Sequence, residues 1–222
     1  MYYETESNEH GLRHDPFKAL IVPRPIGWVS TTSDDGVHNL APFSFFNGVS
    51  DRPPMIMFSC ANRNDTLNNI EKNGECTVSM ASLALRDQMN LSSAPVAAQV
   101  SEFDIASLAM APSQQVRPPR VADSPAAFEC RLWQVIALPG TARRPDRHYS
   151  LVVACVVGIY INDAFVHDGL VDTGAMQPLA RLGYMQYSVL ETDSIFSLNR
   201  PTVSDDGRQA ILQPGEWSGV YR

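Results

Sequence analysis

Cysteine is scarce in this sequence, and no two cysteines have the spacing of a metal or redox motif. The four cysteines, Cys60, Cys76, Cys130 and Cys155, are far apart and lie mostly within apolar runs. A zinc site or a redox pair would be expected to show a C-x-x-C pair. We therefore predict four small, buried thiols in a protein of a reducing compartment, the cytoplasm.

Positive charge and long apolar runs are also scarce. The 222 residues include 17 Lys and Arg against 24 Asp and Glu, a formal net charge of -7. Nucleic-acid backbones are bound by basic surfaces, so we expect no nucleic-acid partner. The N-terminal segment MYYETESNEHGLRHD is polar and acidic, unlike a secretory signal, and no apolar run has membrane-spanning length. We expect no membrane partner and a cytoplasmic location.

The sequence motifs of several enzyme classes are absent. There is no G-x-S-x-G elbow of a hydrolase, and no G-x-G-x-x-G or G-x-x-x-x-G-K-[ST] follows a predicted strand. Cys60 has no base evident in the sequence. His10 and His14 are four residues apart, but no carboxylate and histidine set completes a metal site. We therefore name no catalytic residue and expect no metal.

The composition predicts a folded protein with a sizeable core. The sequence is 44% hydrophobic and 18% charged, which is unlike a disordered chain. The length suits one domain. We predict a single domain over residues 1–200, with a proline-rich surface excursion, a lid or a dimer contact, at residues 92–126 and a C-terminal tail at residues 201–222.

Strand patterns outnumber helical patterns along the chain. Predicted strands occupy residues 26–32, 55–60, 76–80, 128–138 and 149–162, and an Asp35-Gly36 turn closes a hairpin. Helices are predicted from an N-cap at Asp65 to Asn73-Gly74, at residues 83–91 and at residues 103–110. The sequence therefore predicts a mainly β fold, a β-barrel or sandwich with short helices.

The hairpin RPIGWVSTTSDDGVHNLAPFSFF, residues 24–46, is rich in small hydroxyl side chains. Because side chains alternate along a strand, Trp28, Ser30 and Thr32 share one face. Asn39, Ala41 and the aromatic residues 43–46 return past them. This combination suits a planar ligand with polar edges. An ordinary hairpin that uses Ser and Thr for their β-propensity is the alternative.

The segment SCANRNDTLNNI combines a strand end, a cation and a helix start. Ser59 ends the strand, Arg63 lies in the loop, and Thr66 lies in the first helical turn. Backbone donors and the helix dipole attract anions at such a position, so the segment is a candidate phosphate site. A capped surface helix with a solvated Arg63 is the alternative. Arg143, Arg144 and Arg147 form a second basic segment, either a solvated loop or an attractor of dinucleotide phosphates.

These two segments together resemble the signature of the flavin reductase-like family, the FMN-binding split β-barrel proteins. The resemblance continues through PPRVADSPAAFECRLWQV, VVGIYINDAFV and PLARLGYMQYSVL and spans most of residues 14–200. It implies a homodimer of split barrels that binds FMN near the subunit interface.

The resemblance also implies which residues contact FMN. Residues implied to border the isoalloxazine and ribityl chain are Trp28, Ser30, Thr31, Asn39, Ala41 and Ser44. The phosphate loop would comprise Ser59, Arg63, Asp65 and Thr66, and Arg181 and Gly183 would approach the flavin or the dimer contact.

The implied activity is that of an FMN-dependent oxidoreductase. NADH or NADPH would donate a hydride, and free flavin or a small molecule would accept it, with a partner monooxygenase as a further recipient of reduced flavin. The alternatives are a non-catalytic FMN-binding protein for electron transfer or storage, and a flavin-free structural dimer.

Two positions depart from the family pattern. Relatives often have Arg-Lys-Asp-Thr where this chain has Asn64 in second place, so one phosphate-side cation is missing. Relatives also often have two glycines where this chain has Gly183-Tyr184, so Tyr184 is expected to fill or cover part of the flavin or substrate space.

Overall fold

The structure, a computed structural model, describes residues 1–217 and residue 219. The helices are α1 (Phe17–Leu20), α2 (Asp65–Asn73), α3 (Arg86–Leu91), α4 (Glu102–Ile105) and α5 (Thr173–Met176), with 3-10 turns at Leu83–Leu85, Asp163–Phe165 and Thr192–Ser194. The strands are β1 (Arg24–Pro25), β2 (Gly27–Thr32), β3 (His38–Phe43), β4 (Phe46–Asp51), β5 (Pro54–Ala61), β6 (Glu75–Met80), β7 (Met110–Ala111), β8 (Arg120–Val121), β9 (Ala126–Ala137), β10 (Tyr149–Ile161), β11 (Val166–His167), β12 (Leu170–Val171), β13 (Leu179–Arg181), β14 (Tyr187–Val189), β15 (Thr202–Val203) and β16 (Ala210–Ile211). The predicted mainly β fold with short helices is confirmed.

One antiparallel sheet of seven strands organises the molecule. Its order is β3-β2-β6-β9-β10-β5-β4, so β3 and β4 form opposite edges although they follow one another in the chain. Three Cα steps of about 3.8 Å join the end of β3 to the start of β4, so the two edges approach within about 11 Å. The sheet is therefore rolled into a barrel that is split between β3 and β4, where Ser44 and Phe45 form the connection.

The barrel interior is closed by α2. Leu67 and Ile70 of this helix pack with Val29, Phe58 and other apolar side chains of the strands. The helix begins one residue earlier than the sequence predicts, because the side chain of Asn64 accepts a hydrogen bond from the Leu67 amide at 2.8 Å. Asn64, and not Asp65, is the N-cap.

The opposite face of β2 packs against the middle of the chain. Trp28 lies there with Phe103 and Val121 in a second apolar cluster, all three fully buried. Residues 92–126 thus contribute to the core, which differs from the expected surface excursion. The helix predicted at residues 103–110 is shorter than expected, since α4 ends at Ile105.

The remaining segments lie around the barrel. Strand β1 pairs with β13, which places Arg24 opposite Arg181. The strands β15 and β16 form a small exposed hairpin in the C-terminal tail. All four cysteines are free, and three of them are buried. No helix among the described residues combines the length and apolar character needed to cross a membrane. The division into a domain over residues 1–200 and a tail stays a prediction.

Candidate functional site

A cavity of about 510 Å³ opens beside the split in the barrel. Ser44 and Ser59, two of the predicted site residues, line it together with Phe45 and Phe46, and most of the other lining side chains are apolar. The Ser59 amide donates a hydrogen bond to the Phe45 carbonyl at 3.0 Å, so β5 holds the connection between the barrel edges in place. The cavity has the apolar walls and sparse polar edges of a small-molecule site.

Packing at Gly27 explains how the aromatic wall of this cavity is placed. A Cβ atom on Gly27 would lie 2.7 Å from the Phe46 ring, so the ring contacts the bare backbone of β2. Arg24 also lines this cavity, and its guanidinium donates to the carbonyl oxygens of Lys18, at 2.6 Å, and Leu182, at 2.9 Å. Arg24 is thus a buried residue whose guanidinium is held by backbone carbonyl groups.

Trp28 and Ser30 lie inside the fold. The Trp28 indole N–H donates to the Ser92 hydroxyl at 2.8 Å, and both side chains are fully enclosed. The Ser30 hydroxyl is buried without a hydrogen-bond partner among the described residues. These two predicted flavin contacts are separated from the 510 Å³ cavity, whose lining does not include them.

Asn39 is the centre of a buried hydrogen-bond network. Its amide nitrogen donates to both carboxylate oxygens of Glu102, at 3.1 and 3.0 Å. Its oxygen accepts from the Thr66 hydroxyl at 2.8 Å and from the Thr31 hydroxyl at 3.3 Å. Glu102 also accepts from the Leu40 amide at 2.9 Å. The network joins β2, β3, α2 and α4, and three predicted site residues belong to it.

Burial is the main influence on the Glu102 carboxyl group. It raises the pKa of Glu102, whereas the hydrogen bonds from the Leu40 backbone and the Asn39 side chain oppose that rise. The sequence offers no signal for this residue, because it lies in a segment without clear periodicity and its partners are about 60 positions away in the chain.

A smaller cavity of about 210 Å³ lies at the start of α2. Ala41, Asp65 and Thr66 line it with Asn39 and residues 92–96. The acidic side chains of Asp65 and Glu102 face this cavity, and its lining includes no cation. The structure thus brings together four predicted site residues here, and they border a different cavity from Ser44 and Ser59.

Arg63 lies in the loop before α2, and its side chain contacts that helix. Its guanidinium donates to the Glu71 carboxylate at 2.6 Å and to the Asn68 side-chain oxygen at 2.6 and 3.0 Å. The side chain is exposed. Arg63, the cation of the candidate phosphate loop, is therefore already paired with side chains of α2.

Arg181 and Gly183 lie around the hairpin between β13 and β14. Arg181 stacks on Tyr187, 4.4 Å from the ring centroid, and donates to the Tyr184 carbonyl at 2.7 Å. A Cβ atom on Gly183 would lie 2.5 Å from Ala19 Cβ, so this glycine lets α1 approach the hairpin. Tyr184 is 51% exposed, with its ring near His14, and is not among the residues that line the 510 Å³ cavity.

Nucleophilic and metal chemistry receive no support from the described residues. Desolvation raises the pKa of Cys60 to about 11, which disfavours a reactive thiolate. Within residues 1–217 and 219, no three potential metal-ligating side chains come together.

A comparison with protein families gives a direct match. The family model described as "Flavin reductase like domain" matches residues 19–180. The chain belongs to the flavin reductase-like family. It is 36% identical to an uncharacterized protein of Aquifex aeolicus over 174 residues, which cover 76% of this chain and 85% of the relative. It is 34% identical to protein BH2278 of Halalkalibacterium halodurans over 202 residues, 87% of this chain and 95% of the relative.

Solved structures show the same fold. Nitrilotriacetate monooxygenase component B from Bacillus cereus is 28% identical, with a TM-score of 0.79 over 89% of this chain and 98% of its own. The 2-nitrobenzoate 2-nitroreductase NbaA of Pseudomonas fluorescens is 25% identical, with a TM-score of 0.77 over 91% and 97%. A Shewanella frigidimarina protein with a split barrel domain is 20% identical, with a TM-score of 0.75 over 90% and 98%. The predicted family and the split-barrel fold are confirmed.

Proposed function

We propose that this flavin reductase-like protein is an FMN-dependent oxidoreductase that oxidises NADH or NADPH. The observation that carries the proposal is the 510 Å³ apolar cavity at the barrel split, with the hydroxyls of Ser44 and Ser59 among its polar groups. A flavin ring is planar and apolar on its faces and polar at its edges, so it suits these walls. The family match over residues 19–180 supports the same conclusion.

The residues present fit FMN, with one adjustment at the phosphate. Ser44 and Ser59 would border the ring, and Ala41 lines the smaller cavity near Thr66. The first amide groups of α2 would receive the phosphate, whereas the Thr66 hydroxyl keeps its hydrogen bond to Asn39. Arg63 would have to leave Glu71 to contribute its charge. When bound, FMN would accept a hydride from the nicotinamide and pass the electrons on.

The recipient of the electrons is proposed from the relatives. The Bacillus cereus neighbour is a monooxygenase component, which supports a role in supplying reduced flavin to a partner oxygenase. The Pseudomonas fluorescens neighbour is a nitroreductase, which supports direct reduction of a small acceptor. Free flavin or a small molecule is therefore the proposed acceptor, and the pyridine nucleotide donor suits a cytoplasmic location.

A homodimer is proposed for the working protein. The long strands β9 and β10 carry exposed apolar side chains, with Trp133 61% and Ile159 59% exposed. An open barrel also leaves the edge strands β3 and β4 unpaired with each other. Exposed edges and apolar patches are commonly covered by symmetric pairing. Light scattering after gel filtration at micromolar concentration should give twice the chain mass, and a monomer would contradict the proposal.

The first experiment is an absorption spectrum of the purified protein, followed by heat release and chromatography of any yellow ligand. We expect FMN, and NADH or NADPH consumption that increases when free flavin is added. FMN without oxidation of either nucleotide, across several acceptors, would favour a non-catalytic electron-transfer or storage protein. A colourless protein that takes up no added FMN would favour the flavin-free structural dimer.

A further inference from the structure

A third cavity, of about 740 Å³, lies between the N-terminal arm and the loop that precedes β10. Its lining includes Tyr3 from the arm and Arg144 and Arg147 from the loop. Phe17, Lys18 and Tyr149 line both this cavity and the 510 Å³ cavity at the barrel split. The two spaces therefore meet at these three side chains.

The larger cavity contains cations that the fold leaves unpaired. Lys18 forms no side-chain hydrogen bond or ion pair with any described residue, and its Nζ atom lies 6.0 Å from the centroid of the Phe45 ring. Arg147 lies over the Tyr149 ring at 5.4 Å. It forms no ion pair in the described part of the chain, and its acidic neighbour Asp146, on which its charge acts, is paired with Arg144. Arg144, in contrast, is paired with Asp146 at 3.3 Å.

Positive charge accumulates around Lys18. Desolvation lowers the pKa of this lysine, and the charges of Arg147, Arg24 and Arg181 lower it further. Asp15 acts in the opposite direction, but its carboxylate already accepts a hydrogen bond from the Phe17 amide at 2.9 Å. The chain as a whole has a formal charge of -7, so this is a local concentration of positive charge. Such a concentration attracts an anionic ligand.

A pyridine nucleotide has the matching distribution of chemistry, with an uncharged nicotinamide at one end and phosphates towards the other. We propose that Lys18 and Arg147 bind the phosphates of the nucleotide donor in the 740 Å³ cavity, while the nicotinamide enters the adjoining apolar cavity. The proposal rests on the proposed function, because it names the donor site of that activity. Both volumes lie in the range of small-molecule sites.

The protein would then have two separate anion sites, one for the FMN phosphate and one for the phosphates of the donor. The FMN phosphate would lie at the start of α2, and the donor phosphates would lie beside α1, across the apolar cavity. The hydride would pass from the nicotinamide, which becomes oxidised, to the flavin, which becomes reduced. Lys18 and Arg147 would hold the donor and take no part in the chemistry.

The test measures binding without turnover. ADP-ribose, which carries the donor phosphates without the nicotinamide, is titrated into FMN-loaded protein by calorimetry. Lys18→Met and Arg147→Met should each weaken ADP-ribose binding about tenfold, because each removes a charge-assisted contact. The KM for NADH and NADPH should rise in parallel with the loss of ADP-ribose affinity.

Arg52→Met is the matched control, since it removes a positive charge whose side chain is 92% exposed on the β4–β5 turn. It should leave ADP-ribose binding unchanged. Equal weakening in the control, or unchanged ADP-ribose binding in both test variants, would overturn the proposal. So would a selective loss of benzoate binding, which would assign the cations to an acceptor carboxylate. If ADP-ribose binds and the variants weaken its binding as expected, but neither NADH nor NADPH is oxidised, the proposed function alone would be wrong.

Discussion

The loop at the start of α2 and the cavity beside α1 both contain cations, but the cations differ in how they are paired. Arg63 donates to Glu71 and Asn68. Lys18 forms no ion pair with a described residue, although Asp15 acts on it electrostatically, and it lies within the field of three arginines. A paired cation must lose its partner before it can bind a ligand, whereas an unpaired one is available at once.

The same contrast holds for the uncharged polar groups. Asn39, Thr66 and Glu102 satisfy one another in a buried network. The hydroxyls of Ser44 and Ser59 instead border an open cavity. The first set therefore fixes the positions of the elements around the site, and the second set is available to a ligand.

The largest effect is expected where the satisfied network is broken at its centre. Asn39→Ala removes two donors to Glu102 and the acceptor of Thr66, so we expect a loss of about 3 kcal/mol in the free energy of unfolding. Without the Asn39 hydrogen bond, the already raised pKa of Glu102 should rise further. A folded-state pKa above the unfolded value of about 4.3 means that stability is lost as pH rises through the folded pKa. The deficit should therefore be larger at pH 8 than at pH 5.

Urea denaturation of both proteins at the two pH values checks this prediction. Thr66→Val is the matched control, because it removes a neutral hydrogen bond to Asn39 and leaves both donors to Glu102 in place. We expect it to cost about 1 kcal/mol at either pH. An Asn39→Ala deficit that is the same at pH 5 and pH 8 would contradict the role given to Glu102.

The next effect is expected at the contact that positions α1, the helix that carries Lys18. Gly183→Ala would place a methyl group 2.5 Å from Ala19 Cβ and 2.7 Å from Ala19 Cα. Overpacking of this kind costs about 2 kcal/mol, and here it should loosen the N-terminal arm. We expect faster proteolysis of the arm and weaker ADP-ribose binding. The double variant Ala19→Gly/Gly183→Ala should recover part of both losses, and no recovery would show that another contact is responsible.

Sequence patterns predicted the strands and helices of the barrel well, because each pattern depends on residues close together in the chain. Alternation along β2 separates Trp28 from Val29, and the structure places them in opposite clusters. Helix α2 was predicted from its apolar face, with an error of one residue because Asn64 and Asp65 are both good capping residues.

The arrangement of the site was less predictable because it depends on distant contacts. Glu102 reaches Asn39 across 63 positions, and Arg147 acts on Lys18 from the far end of the loop before β10. Arg63 was a candidate by residue type, but its pairing with Glu71 depends on the rotamers of both side chains. The sequence therefore shows which chemical groups are present, and the folded structure determines which of them have no hydrogen-bond or ion-pair partner.

A smaller effect is expected if the paired cation is released. Arg63→Ala should weaken FMN binding about tenfold, whereas Glu71→Gln should tighten it several-fold by freeing the guanidinium. Fluorescence titration of the FMN-free protein measures both changes. Riboflavin, which lacks the phosphate, is the control ligand, and its affinity should not change. A parallel change for riboflavin would place Arg63 away from the phosphate.

The smallest effect concerns the departure from the family pattern at Tyr184. This residue has a φ of 54°, in the left-handed region that favours glycine, and its side chain is 51% exposed. Tyr184→Gly should relieve the backbone at the cost of chain entropy, with a net gain of about 0.5 kcal/mol and a rise in Tm of about 1 to 2 °C. FMN affinity should stay the same, because Tyr184 is not among the residues lining the 510 Å³ cavity. A calorimetric scan and an FMN titration check both parts, and a change in FMN affinity would show that the ring covers the flavin in the bound state, as the sequence led us to expect.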